Sequence, residues 1–469
     1  MTRESKLVKN TAIVALGQIG TKFISFFLLP LYTAILSTEE YGTVDLLNTY
    51  VSLLLPIIFL QIDQAIFRFL IDYRKDECGQ RKLISTVFLT VTVQSILYLV
   101  LFVILGRFIN NPYKYFLAVN VVASMFSSML LQIARGLGDN ITYSLGSLVS
   151  GAGTIILNVI FIVIFNLGAY GMLEATMFAN ILCFIFVFLK LRIYQYIRLN
   201  QWDKKNLQEI LKYSVPLVPN ALSWWIISAS DRTIVSHFLG VAANGIYSAS
   251  NKFSGIVITI FSIFNITWAE SASMYIKDAD SSEYFSNIIN VSIKLFTMVC
   301  LLIVSSMPFV FDYLITGSDY ATAYYQIPIL MLATLFNIIV SLLGSIYVAL
   351  KKSNEIAKTS VYSAIINIVV NLILINLLGL YAASLSTLIA YLSMSIYRYI
   401  DVQKYVKLRI DMKFILVIIP ITLITVITYY YRNSIICLFV LFIVVFTGIY
   451  FNKTVLKQLL GVASRRFNL

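Results

Sequence analysis

The sequence predicts an all-α polytopic membrane protein of about 14 spanning helices, on three observations. The chain of 469 residues is 59% hydrophobic and 12% charged, with a mean hydropathy of +0.86, well above the half-apolar composition of soluble domains. Runs of about 20 apolar residues follow one another from Thr11 to Phe451, each long enough at about 1.5 Å per residue to cross a hydrocarbon core about 30 Å thick. Barrel strands would be about ten residues long and alternate in polarity, and these runs do neither. A helix satisfies its own backbone groups, which lipid cannot do.

Taken in order, the spans fall at roughly 11–36, 44–71, 83–105, 115–134, 142–166, 170–190, 214–239, 245–271, 286–315, 323–350, 355–377, 380–400, 413–431 and 434–451. The first is too long for a signal-peptide core and is followed by Ser-Thr-Glu-Glu rather than a small-residue cleavage site, so it reads as a retained span. The apolar run from Thr142 to Lys190 must be cut at Asn166 to Gly171. Basic residues test the alternation, because Lys and Arg in short loops mark the cytoplasmic side. With the amino terminus inside, 27 of the 35 fall in inner segments, against Arg107, Lys114 and Arg432 outside. Both termini are therefore expected on the cytoplasmic side, and the net charge of +13 reads as an orientation signal facing anionic lipid rather than a nucleic-acid footprint. Four scattered cysteines and the single His237 suggest no metal, no cofactor and no disulfide framework.

A shift of about 200 residues brings the two halves into register. Lys9 falls on Lys212, Leu36-Ser-Thr-Glu-Glu-Tyr-Gly42 on Leu239-Gly-Val-Ala-Ala-Asn-Gly245, and Leu167-Gly-Ala-Tyr-Gly on Leu378-Gly-Leu-Tyr-Ala. Six spans per half make a parallel repeat about an axis along the membrane normal. The expected organisation is two pseudo-symmetric six-helix lobes, 1–200 and 201–411, facing one another across a cavity, with an appended two-helix hairpin and cytoplasmic tail over 412–469.

Charges inside spans normally face a cavity or a partner, because exposing one to lipid costs about 2.5–3.5 kcal/mol on insertion scales. Thr11, Gln18, Lys22 and Ser25 share one face of the first span, and Asp45, Asn48, Ser52, Pro56 and Asp63 one face of the second. Asn220, Trp224, Ser228 and Asp231, then Ser248, Lys252, Gly255, Thr259 and Ser262, do the same in spans 7 and 8. By helical rise, Lys22, Arg232 and Lys252 fall in one layer of the outer half, while Arg68, Arg135 and Lys294 lie nearer the inner surface. The intramembrane acids are chiefly Asp63, Glu174 and Asp231, so a pathway among these groups is net cationic and suits an anionic guest. Each has a plainer alternative: Asp63 with Arg68 as an interfacial pair, Arg135 and Lys294 snorkelling, small residues packing helices. Asp231 and Arg232 are adjacent and need separate partners. Trp224 and Trp225 are candidate sugar contacts, with helix packing as the plainer alternative, and Pro30 and Pro56 are candidate hinges within spans.

In the order Leu36-Ser-Thr-Glu-Glu-Tyr-Gly, Ala65-Ile-Phe-Arg-Phe, Arg135-Gly-Leu-Gly, Glu209-Ile-Leu-Lys-Tyr-Ser-Val-Pro-Leu-Val-Pro, Ser230-Asp-Arg-Thr-Ile-Val and Gly245-Ile-Tyr-Ser-Ala, the chain resembles Wzx-type polysaccharide flippases of the multidrug/oligosaccharidyl-lipid/polysaccharide exporter superfamily over about residues 5–400. The resemblance implies two lobes opening alternately and a polyprenyl-diphosphate-linked oligosaccharide, such as an O-antigen unit of lipopolysaccharide, carried to the outer leaflet of a bacterial inner membrane. It further implies Lys22, Arg232 and Lys252 as diphosphate or acidic-sugar contacts, with Arg68, Arg135 and Lys294 nearer the inner mouth. Asp63, Glu174 and Asp231 become candidates for ion coupling or structural pairs. Membrane lipids, a glycan polymerase and chain-length proteins are the expected partners. The alternatives are a drug or cation antiporter of the same superfamily, which would favour an acidic pocket, and a membrane glycan polymerase or glycosyltransferase. The latter needs catalytic groups on a large outer loop, which the roughly ten residues from Arg107 do not provide.

Overall fold

The computed structural model describes residues 26–108, 111–350 and 352–467, with side chains as far as Lys453. The described residues form helices and connecting turns with no strand, and twelve helices are long and apolar enough to cross a membrane. The chain divides into two compact units, Met1–Ser236 and His237–Leu469.

The first unit holds α1 (Leu29–Ile35), α2 (Thr38–Ile58), α3 (Ile62–Asp72), α4 (Glu77–Leu105), α5 (Lys114–Leu137), α6 (Asn140–Val159, continued by a π-helical turn Ile160–Ile164), α7 (Gly168–Lys190), α8 (Lys204–Ser214) and most of α9 (Val218–Leu239). Short polar loops set the starts. Ser37 and Glu40 cap α2 reciprocally, the Ser37 hydroxyl accepting from the Glu40 amide at 3.1 Å and the Glu40 carboxylate from the Ser37 amide at 3.0 Å. Gly138, at φ +90°, ends α5, and Asp139 then accepts from the Thr142 amide to start α6. The expected cut between spans 5 and 6 falls at Asn166 and Gly168, both at positive φ.

Two expected spans differ. The run 44–71 is not one helix, because Leu60 and Gln61 take left-handed backbone at φ 53° and 57° and separate α2 from α3. Such a conformation costs a non-glycine residue about 1–2 kcal/mol. Pro56, inside α2 and four residues before Leu60, has no N–H to give its helix and weakens it just upstream of the break, where a bend was expected. The run 214–239 opens with a tight turn, Val215–Leu217, and α9 is too rich in serine and charge to count among the twelve. Most of the run 11–36, with Lys22, lies outside the described residues; its far end is α1, with Pro30 in the first turn, where proline is tolerated.

The second unit holds α10 (Val241–Tyr275), α11 (Ser281–Leu314), α12 (Ile327–Ala349), α13 (Ser353–Leu378), α14 (Leu380–Val402), α15 (Met412–Tyr431) and α16 (Ser434–Phe467). Packing order repeats between the units. In the first, α2 and α3 pack on α5, α5 on α7 and α6 on α7; in the second, α10 packs on α12, α12 on α14 and α13 on α14. These are the helices that the sequence repeat equates. Ile62, Ile66 and Leu70 of α3 with Met125, Met129 and Ile133 of α5, all sealed from solvent, form the centre of the first unit's core.

The α15–α16 hairpin is bolted to the second unit at both ends. At one end, Ser286, Asn290 and Lys294, one turn apart on α11, zip the segment entering α15. Ser286 accepts from the Arg409 amide at 2.9 Å, Asn290 bonds Arg409 and Asp411 at 2.7 and 3.0 Å, and Lys294 pairs with Asp411 at 2.5 Å. At the other end, Tyr324 and Tyr429 stack at 4.1 Å, each hydroxyl donating to the other's backbone carbonyl.

The Lys294 ammonium, through its hydrogen bond, holds the Asp411 carboxyl below the usual carboxylate range. A depressed folded value means that this stabilisation is present above the unfolded value near pH 4 and is lost as pH falls through the folded one. Lys294→Ala is expected to cost about 1.5–3 kcal/mol at pH 7. Melting of the purified protein across pH 3–7 checks this: the gap between wild type and variant should narrow progressively as pH falls below about 4. A gap unchanged at pH 3 would contradict it.

Candidate functional site

Among the described residues of the first unit, intramembrane polar groups gather along the seam between α2 and α9 and in the space among α2, α3, α5, α6 and α7. Along the seam, Asp45, Thr49 and Ser52 lie on successive turns of α2. Trp225 of α9 donates its indole N–H to the Thr49 carbonyl at 3.0 Å and to the Ser52 hydroxyl at 3.1 Å. Two turns further along α9, the Arg232 Nε lies 2.9 Å from an Asp45 carboxylate oxygen, with 22% and 19% of the two side chains exposed. Arg232 also reaches the Ser228 carbonyl at 3.4 Å. A pair this sheltered is held in a low dielectric, where its attraction is strong but desolvation offsets much of it. Asp231 is 3% exposed, consistent with its 100° offset from Arg232 around the helix. Trp224 is partly buried, and its neighbour Trp225 makes the tie to α2.

The break before α3 places Asp63 in that helix's first turn, where negative charge is favoured. Its carboxylate accepts from the Gln64 amide group at 3.1 Å and from the Ser128 hydroxyl of α5 at 3.3 Å. No base pairs with it among the described residues, and the Arg68 partner considered from sequence is a correction: five residues advance a helix by 500°, which puts the two side chains on different faces. Arg68 instead pairs with Asp72 at 2.8 Å on an exposed surface.

Other expected site residues are dispersed. Arg135 is exposed at the end of α5, its guanidinium carbon 4.2 Å from the Phe67 ring centre and 5.9 Å from that of Tyr143. Glu174 is partly buried on α7 and makes no ion pair among the described residues. Lys252 is partly buried on α10. Lys294 is committed to Asp411. No group of three or more His, Cys, Asp and Glu is placed to hold a metal among the described residues.

Two features were missed from sequence. One is a cleft of about 430 Å³ in the first unit, bounded by Leu55 of α2, Ser124, Ser127, Ser128 and Gln132 of α5, Tyr143, Ser147, Ser150 and Gly151 of α6, and Asn180 of α7. Its signal was small polar residues three and four apart on both α5 and α6, a pattern that equally describes helix packing. The other is Arg398 of α14, which sequence counting places with the inner-loop bases. It is 1% exposed, bonded to the Val340 carbonyl at 2.9 Å and the Thr359 hydroxyl at 2.8 Å. Gly344 makes room for it, since a Cβ there would sit 2.7 Å from the guanidinium. Arg398 ties α12, α13 and α14 together through neutral partners.

A bundle of long apolar helices in two units with matching packing order, carrying charge and hydroxyls between its spans, defines a polytopic membrane protein with the fold of the multidrug/oligosaccharidyl-lipid/polysaccharide exporters. The fold matches that of the lipid II flippase MurJ in an inward closed conformation, with a TM-score of 0.69, 16% identity and coverage of 96% of this chain and 100% of that one. It also matches an inward-facing multidrug resistance MATE family transporter, with a TM-score of 0.66, 13% identity and coverage of 83% and 98%. An uncharacterized membrane protein of Methanocaldococcus jannaschii is 24% identical over 408 residues, which is 82% of this chain and 95% of that protein. The chain belongs to the polysaccharide biosynthesis protein family, whose model matches residues 7–269.

Proposed function

We propose that the chain is a flippase that moves a polyprenyl-diphosphate-linked oligosaccharide, an O-antigen unit or similar glycan, from the cytoplasmic to the outer leaflet of a bacterial inner membrane by alternating access. The observation that carries this reading is Arg232, a guanidinium kept among apolar spans by Asp45 yet still about a fifth exposed. A cation retained at that depth is costly unless it works on an anion, and the diphosphate is the anion that a membrane glycan carrier presents. Lys22 and Lys252 complete the proposed diphosphate set. Arg135, which pairs with no acid among the described residues and stacks on rings, remains a contact at the inner mouth, whereas Arg68 and Lys294 serve acids of their own.

In the same reading Asp63 couples transport to an ion, since a sheltered carboxylate with only neutral donors takes its countercharge from solution. Membrane lipids and glycan-assembly proteins are the proposed partners, and both termini face the cytoplasm. The test is reconstitution into liposomes with a fluorescent prenyl-diphosphate oligosaccharide, following its accessibility to an impermeant quencher. Protein should raise the rate at which the protected half of the label becomes accessible. A rate equal to that of empty liposomes, alongside movement of organic cations, would move the chain to the antiporter class.

A further inference from the structure

We infer that the cleft among α2, α5, α6 and α7 is a subsite for a neutral, hydroxyl-rich sugar residue, separate from the contacts to the diphosphate. The inference rests on the flippase reading and deepens it. Small polar residues on facing membrane helices normally let the backbones close together. Here they leave about 430 Å³ open, a volume within the range of small-ligand pockets.

The lining selects the chemistry. Among the described residues no lysine or arginine borders the cleft, and the Asp63 carboxylate meets it through the Ser128 hydroxyl, so a phosphate finds no countercharge there. Asn180 is the hub: its carbonyl oxygen accepts from Ser127 at 3.1 Å and Ser150 at 3.3 Å, and its amide reaches Ser124 at 3.4 Å. Ser147 donates to the Tyr143 carbonyl at 2.9 Å, and Ser128 to Asp63. Four serine hydroxyl protons are therefore already directed at protein acceptors, and what those oxygens have left to offer is lone pairs. A lining rich in acceptors, with the Ser124 hydroxyl and the Gln132 amide beside them, fits a guest dense in hydroxyls. Sugars are such guests, and a site built to bond hydroxyls rejects analogues that lack them far more sharply than an apolar pocket does.

The test uses the purified full chain and two probes: a panel of free neutral hexoses and N-acetylhexosamines, read by saturation transfer from protein to sugar, and a short prenyl diphosphate without sugar, read by titration calorimetry. Wild type should bind both. Ser150→Phe, which fills the cleft, should reduce the saccharide signal at least fivefold and leave prenyl diphosphate affinity unchanged. The gentler Ser147→Ala/Ser150→Ala double variant, which trims only two oxygens, should weaken saccharide binding in the same direction and guards against misfolding of the bulkier one. Saccharide signals unchanged in both well-folded variants would overturn the subsite. So would a wild type that binds prenyl diphosphate but no saccharide, which would make the cleft a water pocket only. A wild type that binds neither probe would overturn the flippase reading and the subsite with it.

Discussion

Arg232→Ala is expected to lower translocation of the lipid-linked oligosaccharide by about tenfold to a hundredfold, because a charge-assisted contact to a phosphate contributes about 1.5–3 kcal/mol. The single variant alone is ambiguous, since it also strands Asp45, a carboxylate with 19% of its side chain exposed, and stranding one member of a sheltered pair is itself destabilising. The double variant Asp45→Asn/Arg232→Gln separates the two effects. It removes both charges with little change in shape, so expression level and melting temperature should return close to wild type while transport stays low. Wild-type transport by the double variant would show that Arg232 exists for Asp45 and touches no substrate.

Asp63→Asn is expected to abolish acceleration of transport by an ion gradient while leaving the slower, gradient-independent rate in place. The amide is nearly isosteric and still accepts from Ser128, so the fold should hold. What disappears is the charge that a proton or monovalent cation would neutralise. Translocation measured with and without imposed proton and sodium gradients reads the coupling directly. Gradient acceleration that survives in Asp63→Asn would clear this residue of the role and turn attention to Glu174 and Asp231.

Much of the fold was legible because apolar run length is a strong physical signal. Breaks at Gly138, Asn166 and Gly168 follow from local backbone chemistry, and the parallel repeat shows again in the packing order of the two units. The break at Leu60–Gln61 was not legible: neither residue is one that favours left-handed backbone, so Pro56 signalled a bend without placing it. The site was read less well than the fold. Helical spacing found Asp45 and Ser52 of α2, which do make contacts, whereas Thr49 and Trp225 lie one position from the stripes drawn through Asn48 and Trp224. Lys294 looked like a pathway cation because Asp411, 117 residues away, was invisible to periodicity on its own helix. Arg398 sat too near a span end to seem buried, and only the neighbouring Gly344 creates its niche.

The fastening of the last two spans has a consequence for shortened forms of this chain. Cutting before Arg409 would keep a bundle of full-length helices but bare three turns of α11 whose Ser286, Asn290 and Lys294 have no other described hydrogen-bonding partner outside their own helix. An ammonium would then face acyl chains directly. A shorter relative could arise by gradual replacement of those rungs with apolar side chains, after which the hairpin becomes dispensable; removal in the opposite order would leave a membrane protein marked for quality control.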